Sequence, residues 1–81
     1  MEYFAYILVS QVNGRRYFGS CSDLQKRLAN HNAGKVRSTK PFRPYRIHYF
    51  ETFNDKSSAQ RRERFFKTID GYRFLKSKGI I

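Results

Sequence analysis

The stretch Asn13-Gly-Arg-Arg-Tyr-Phe-Gly-Ser-Cys-Ser-Asp-Leu-Gln-Lys-Arg-Leu-Ala-Asn-His-Asn32 decides how this chain is read. It opens with a turn signal and ends in a basic amphipathic helix, with Tyr17-Phe18-Gly19 between them. Asn13-Gly14 is the strongest short hairpin signal, because a two-residue turn needs positive φ at both of its central positions. Upstream, Phe4-Ala5-Tyr6-Ile7-Leu8-Val9 is an unbroken apolar run. It predicts a strand buried on both faces, hence a central one. The returning strand runs from Arg15 to Gly19 or Ser20. A two-residue turn places Tyr17 opposite Ser10, on the face that Leu8 and Tyr6 share by alternation. Tyr6 and Tyr17 are then offset by four residues, about 13 Å along the strand.

Downstream, Ser22-Asp23 supplies an N-cap, and Leu24 and Leu28 begin an apolar stripe. The helix extends to about Asn32, and Gly34 is its stop. With Leu24 as origin, Arg27 lies at about −60° and His31 at about −20° around the helix. Both stand at one edge of the stripe that packs on the sheet. Two readings follow for the pair. They face a cleft between helix and sheet, or they are a solvated arginine and a half-buried histidine. Gly19 is similarly open: it ends a strand, or it lets a phosphate or a neighbouring backbone come close.

The remainder completes an α+β chain. Lys35 to Pro44, with two prolines and several cations, is a loop. The aromatic-rich Tyr45 to Phe53 is a strand. Asn54 to Ser58 is a turn with a helix cap. Ala59 to Thr68 is a helix broken by Asp70-Gly71, and Tyr72 to Lys78 forms a short last helix. The order strand-strand-helix-strand-helix-helix predicts a small three-stranded antiparallel sheet flanked by helices, in one domain spanning residues 1–81.

Charge narrows the partner. Among 81 residues there are 17 Lys and Arg against 6 Asp and Glu, a net charge of +11. An imbalance this large on so small a chain predicts a polyanion, with nucleic acid ahead of an anionic membrane surface. The competing reading is charge for solubility alone. The N-terminal stretch has no basic n-region, and its apolar run is too short for a signal peptide or a span. With Cys21 the single cysteine, no intrachain disulfide forms. A soluble, cytoplasmic protein is expected.

Glu63 stands alone among cations in Arg61-Arg62-Glu63-Arg64-Phe65-Phe66-Lys67. It is either a local ion-pair partner or a metal ligand. One carboxylate suits a single Mg²⁺ that keeps water and substrate phosphate as its other ligands. It argues against a two-metal site. Cys21 with His31 or His48 has no zinc spacing.

Taken together, Tyr6, Tyr17-Phe18-Gly19, Ser22-Asp23-Leu24, Arg27, His31-Asn32 and Glu63 resemble the GIY-YIG nuclease superfamily, over nearly the whole chain. The similarity is closest to small standalone bacterial members, and more distantly to the nuclease domain of the excinuclease C subunit of DNA repair. Phe4-Ala5-Tyr6 stands at the first signature, with its glycine and isoleucine replaced. Tyr17-Phe18-Gly19 stands at the second. The resemblance implies an endonuclease that hydrolyses phosphodiester bonds of DNA with one divalent metal, Mg²⁺ or Mn²⁺, on Glu63. Arg27 then holds the scissile phosphate, Tyr17 orients or deprotonates the attacking water, Tyr6 assists, and His31 positions a phenol or shuttles a proton. Many members carry an asparagine beyond the glutamate; here none follows Asn54. The alternative is therefore a non-catalytic or weakly catalytic nucleic-acid-binding module on the same fold. Lys35, Arg37, Lys40, Arg43 and Arg46 are the expected phosphate-tracking surface. Phe42 and Tyr45 either stack on bases or anchor that loop in the core.

Overall fold

The structure is a computed structural model and describes residues Met1–Ile81. Its elements are β1 (Tyr3–Ser10), β2 (Arg16–Cys21), α1 (Leu24–Asn32), β3 (Tyr45–Phe53), α2 (Lys56–Phe66) and α3 (Ile69–Ser77), with one 3₁₀ turn at Lys40–Phe42. The three strands form one antiparallel sheet in the order β2-β1-β3. The apolar run of β1 is central as expected, and Ala5, Tyr6, Ile7 and Leu8 are at most 1% exposed. Alternation divides them between two layers. Ala5 and Ile7 pack with Phe66 of α2 and Leu75 of α3. Tyr6 and Leu8 pack with Leu24 of α1 and with Tyr45. Each large apolar side chain buried in this way contributes about 1.5–3 kcal/mol.

The β1–β2 connection differs from the two-residue turn. Ser10 N donates to Arg15 O at 2.8 Å and Gly14 N donates to Ser10 O at 2.9 Å, so the loop is Gln11–Gly14. Only Gly14 has positive φ, at 76°. The reason lies in side chains that satisfy the longer loop. Ser10 Oγ accepts from the backbone of Val12 and Asn13, and Asn13 Oδ1 accepts from Arg15 N. Tyr17 therefore pairs with Leu8, and Gly19 with Tyr6. The register moves by two residues, so Tyr17 keeps the predicted face while its offset from Tyr6 is halved.

Asp23 caps α1, its Oδ1 accepting from Lys26 N at 3.0 Å. Gly34, with φ 78°, follows the helix. Asp55 caps α2, accepting from Ser58 N at 2.7 Å, so that helix begins at Lys56 and not at Ala59. The break between the last two helices falls at Lys67-Thr68 and not at Asp70-Gly71. Thr68 Oγ1 accepts from Gly71 N at 3.0 Å and starts α3, which places Asp70 in its first turn. An acidic residue is favoured there by the helix dipole.

Gly71 is present for packing. A Cβ on it would lie 1.8 Å from Phe65 O, a backbone atom that cannot step aside. Gly71→Ala is expected to force α3 off α2 and to destabilise the protein by about 2–4 kcal/mol. Urea unfolding of the variant, followed by circular dichroism, measures this; a loss below about 0.5 kcal/mol would show that the contact is soft.

Candidate active site

The site is built around β2, an edge strand. Tyr6 projects from β1 toward it, and the ring crosses Gly19. A Cβ on Gly19 would stand 2.4 Å from Tyr6 Oη and 2.5 Å from Cζ. This glycine therefore seats a side chain; it is neither a simple strand end nor a phosphate cradle. Beyond it, Tyr6 Oη accepts from Arg27 Nε of α1 at 3.3 Å. Burial pushes the Tyr6 phenol up to about 12, outweighing the lowering by Arg27. The Tyr6 oxygen thus serves as the acceptor for Arg27 Nε.

Tyr17 lies on the same face, its ring centroid 6.4 Å from that of Tyr6 and 4.7 Å from that of His31. His31 is wholly buried, more so than a half-buried histidine. Its Nδ1 is 2.7 Å from Thr39 Oγ1, while Nε2 has no partner. Burial first, then the Arg27 charge, lowers its pKa to about 4. Tyr6, Tyr17, Arg27 and His31 therefore form one cluster on the α1 side of the sheet.

Glu63 arrives from α2, on the other side. Its Oε1 accepts from Ser20 Oγ at 2.7 Å and its Oε2 from Lys67 Nζ at 2.9 Å. Ser20 directly follows Gly19, so alternation turns it to the face opposite Tyr17. The two halves meet round the open edge of β2. There a cleft of about 430 Å³ is lined by Ser20, Cys21 and Ser22, by Arg27 from α1, and by Lys56 and Gln60 from α2. Ser20, Lys56 and Gln60 were not singled out in the sequence. The legible signal for Ser20 was its place immediately after Tyr-Phe-Gly, where strand alternation reverses the side.

The oxygen donors Glu63 and Ser20, partly exposed beside this cleft, fit one hard divalent cation completed by water and phosphate oxygens. They fit neither zinc nor a metal pair, since no three His, Cys, Asp or Glu side chains converge.

Lys35, Arg37, Lys40, Arg43 and Arg46 are all exposed, and none is paired with a carboxylate. Arg46 stands on β3, and the loop that carries the other four is pinned to the hairpin end of the sheet. Gln11 N donates to Pro44 O, Ser10 Oγ donates to Phe42 O, and the Asn32 amide bonds both backbone groups of Tyr45. Tyr45 is 4% exposed, and half-buried Phe42 lies under the Arg15 guanidinium. Both aromatics anchor the loop and neither is free to stack on bases. Along β2 the loop's end of the sheet is about 17 Å from Ser20.

This chain belongs to the GIY-YIG family, whose catalytic-domain model matches residues 2–71. Among its relatives is a UPF0213 protein of Lactiplantibacillus plantarum, 44% identical in an alignment that covers 82% of this chain and 67% of that protein. A UPF0213 protein of Staphylococcus haemolyticus is 38% identical over 93% of this chain and 92% of its own length. The solution NMR structure of a UPF0213 protein from Bacillus halodurans superimposes with a TM-score of 0.54 and 29% identity, covering 95% of this chain and 84% of that one. The observed α+β order and the small bacterial relatives agree with the resemblance carried by the motifs. No helix is long and apolar enough to cross a membrane.

The buried neutral His31 makes stability depend on pH. Its folded pKa lies below the unfolded value, so the unfolded chain binds more protons between about pH 6.5 and 4. The stabilisation is present above that window and is lost as pH falls through it, on the order of 3 kcal/mol in total. Urea midpoints measured from pH 7.5 to 4 should show this fall, and His31→Asn should remove most of the slope.

Proposed function

We propose that this chain is a divalent-metal-dependent endonuclease that hydrolyses phosphodiester bonds of DNA. The observation that carries the reading is a cleft on the edge of β2 that Ser20 and Arg27 both line, Ser20 being bonded to Glu63 and Arg27 to Tyr6. Mg²⁺ or Mn²⁺, held by Glu63 beside the Ser20 hydroxyl, would supply charge stabilisation for the phosphoryl and leaving oxygens. Arg27 grips a non-bridging oxygen of the scissile phosphate with its guanidinium fork. Tyr6 fixes the direction of that fork through the Nε contact. Tyr17, half-buried at the strand edge, orients the attacking water. His31, neutral and enclosed, serves by positioning rather than by shuttling protons.

The exposed cations at Lys35, Arg37, Lys40, Arg43 and Arg46 track the backbone away from the cut. Most such contacts carry no base information, so recognition is of nucleic-acid shape and charge. A cytoplasmic location fits the single thiol of Cys21. A second reading, a binding module that cuts weakly or not at all, is favoured by the occupation of both Glu63 oxygens by Ser20 and Lys67.

The deciding experiment is cleavage of labelled single-stranded, duplex, flap and branched DNA, and of RNA, with Mg²⁺, Mn²⁺ or chelator. Wild type should cut in a metal-dependent manner. Glu63→Ala should cut at least about 10²-fold more slowly with affinity kept or slightly raised. Tight binding without cutting by either protein would establish the second reading. Separately, neutralising Lys40 and Arg43 together should flatten the plot of log affinity against log salt by nearly one unit per lost contact. An unchanged slope would take the loop out of the interface.

A further inference from the structure

His31 presents a buried polar atom without a partner, and its ring packs on the tyrosine that the nuclease reading places on water. Nδ1 is 2.7 Å from Thr39 Oγ1, and Nε2 touches no donor or acceptor. Thr39 is itself 1% exposed and sits on the basic loop, far from the cleft in sequence. Its hydroxyl also lies 3.3 Å from Val36 O. A carbonyl oxygen only accepts, so that contact uses the single hydroxyl hydrogen of Thr39. With that hydrogen on Val36 O, the oxygen of Thr39 is free to accept from Nδ1–H. The orphaned Nε2 points the same way. An orphaned buried N–H is rarer in proteins than an under-satisfied acceptor, so the bare nitrogen is the better one to leave unpaired.

We propose that Thr39 is a positioning residue: it holds His31 as the Nδ1–H tautomer, so that the buried Nε2 lone pair is reserved for the hydroxyl of Tyr17 when substrate closes the site. The Tyr17 ring packs edge-on to His31, with the ring centroids 4.7 Å apart. Hydrogen bonds of this kind are often long in the free enzyme and shorten in the substrate complex. A phenol that donates to Nε2 turns its oxygen lone pairs outward, toward water. The weakly basic, enclosed imidazole accepts this hydrogen bond without taking the proton, so no charge is buried beside Arg27. The arrangement also gives the basic loop a second task. The segment that carries Lys35, Arg37, Lys40 and Arg43 delivers, through Thr39, the oxygen that sets the histidine.

The role of Tyr17 rests on the nuclease reading; the tautomer of His31 does not. The experiment therefore begins without substrate. Proteins labelled with ¹⁵N in histidine, at pH 7.5, are examined by long-range ¹H–¹⁵N correlation of the ring. Wild type should show Nδ1 protonated and Nε2 bare. Thr39→Val, which keeps the shape and loses the oxygen, should shift the ring toward the Nε2–H form. Thr39→Ser should restore the wild-type pattern, and far-UV circular dichroism confirms that all three are folded. In the cleavage assay, Thr39→Val should lower kcat about tenfold or more at little changed KM, with Thr39→Ser recovering it. Nε2–H in the wild type overturns the proposal. So does a fall in kcat without a change of tautomer, which would make Thr39 a packing residue only. The Nδ1–H form in a chain that cuts no substrate counts against the nuclease reading and leaves the assignment of the tautomer in place.

Discussion

The passage of the Tyr6 ring across Gly19 is the constraint on which the site depends. Tyr6 starts on the central strand, where the core needs it, and ends at the sheet edge, where its hydroxyl meets Arg27. Any side chain on Gly19 blocks that path. One tyrosine thus serves in two capacities. Its ring fills the layer under α1, and its oxygen fixes the direction of the guanidinium. The cost of burying the phenol is visible in its raised pKa, which keeps the group neutral and suited to holding.

The same edge explains how two faces of a thin sheet can serve one chemistry. Consecutive residues of a strand point to opposite sides, so Gly19 admits Tyr6 from one layer while Ser20 grips Glu63 from the other. The helices are tied down independently. Arg62 of α2 makes a two-pronged contact with Glu51 of β3 and lies over Phe65 and Phe74. The ion pair alone is worth little at this exposure. Stacked on aromatic rings it also fills space between α2 and α3, which keeps Glu63, its neighbour in sequence, in register with Ser20.

Much of this was legible in the sequence. The unbroken run Phe4–Val9 gave the central strand, Asp23 gave the cap of α1, and Tyr45–Phe53 was read to the residue. The face shared by Tyr6 and Tyr17 survived a wrong turn length, because the register moved by an even number of residues. What failed were decisions between competing local signals. Asn13-Gly14 reads as a tight turn, yet the Ser10 and Asn13 side chains stabilise a longer loop. Asp70-Gly71 reads as a break, yet Thr68 caps a helix straight through it, and the glycine answers a tertiary contact that no local pattern carries. In the site, Arg27, His31 and Glu63 were visible as residue types at suggestive spacings. The pairing of Glu63 with Lys67 follows from the i, i+4 spacing, but the partners Thr39 and Ser20 were not visible, because a contact across the sheet or between a loop and a helix leaves no periodicity to read.

An edge strand with free backbone groups is also a template on which another copy of the chain can add a strand. β2 is such an edge, and the cleft lies along it. Strand addition there would close the site as well as seed aggregation, so whatever keeps copies apart also keeps the site open. Arg16 stands exposed on this strand, Arg15 precedes it, and the whole chain carries a net charge of +11. Like charges at close range repel, most strongly at low ionic strength. The positive surface therefore acts as a colloidal guard, opposing the approach of a second copy along this edge.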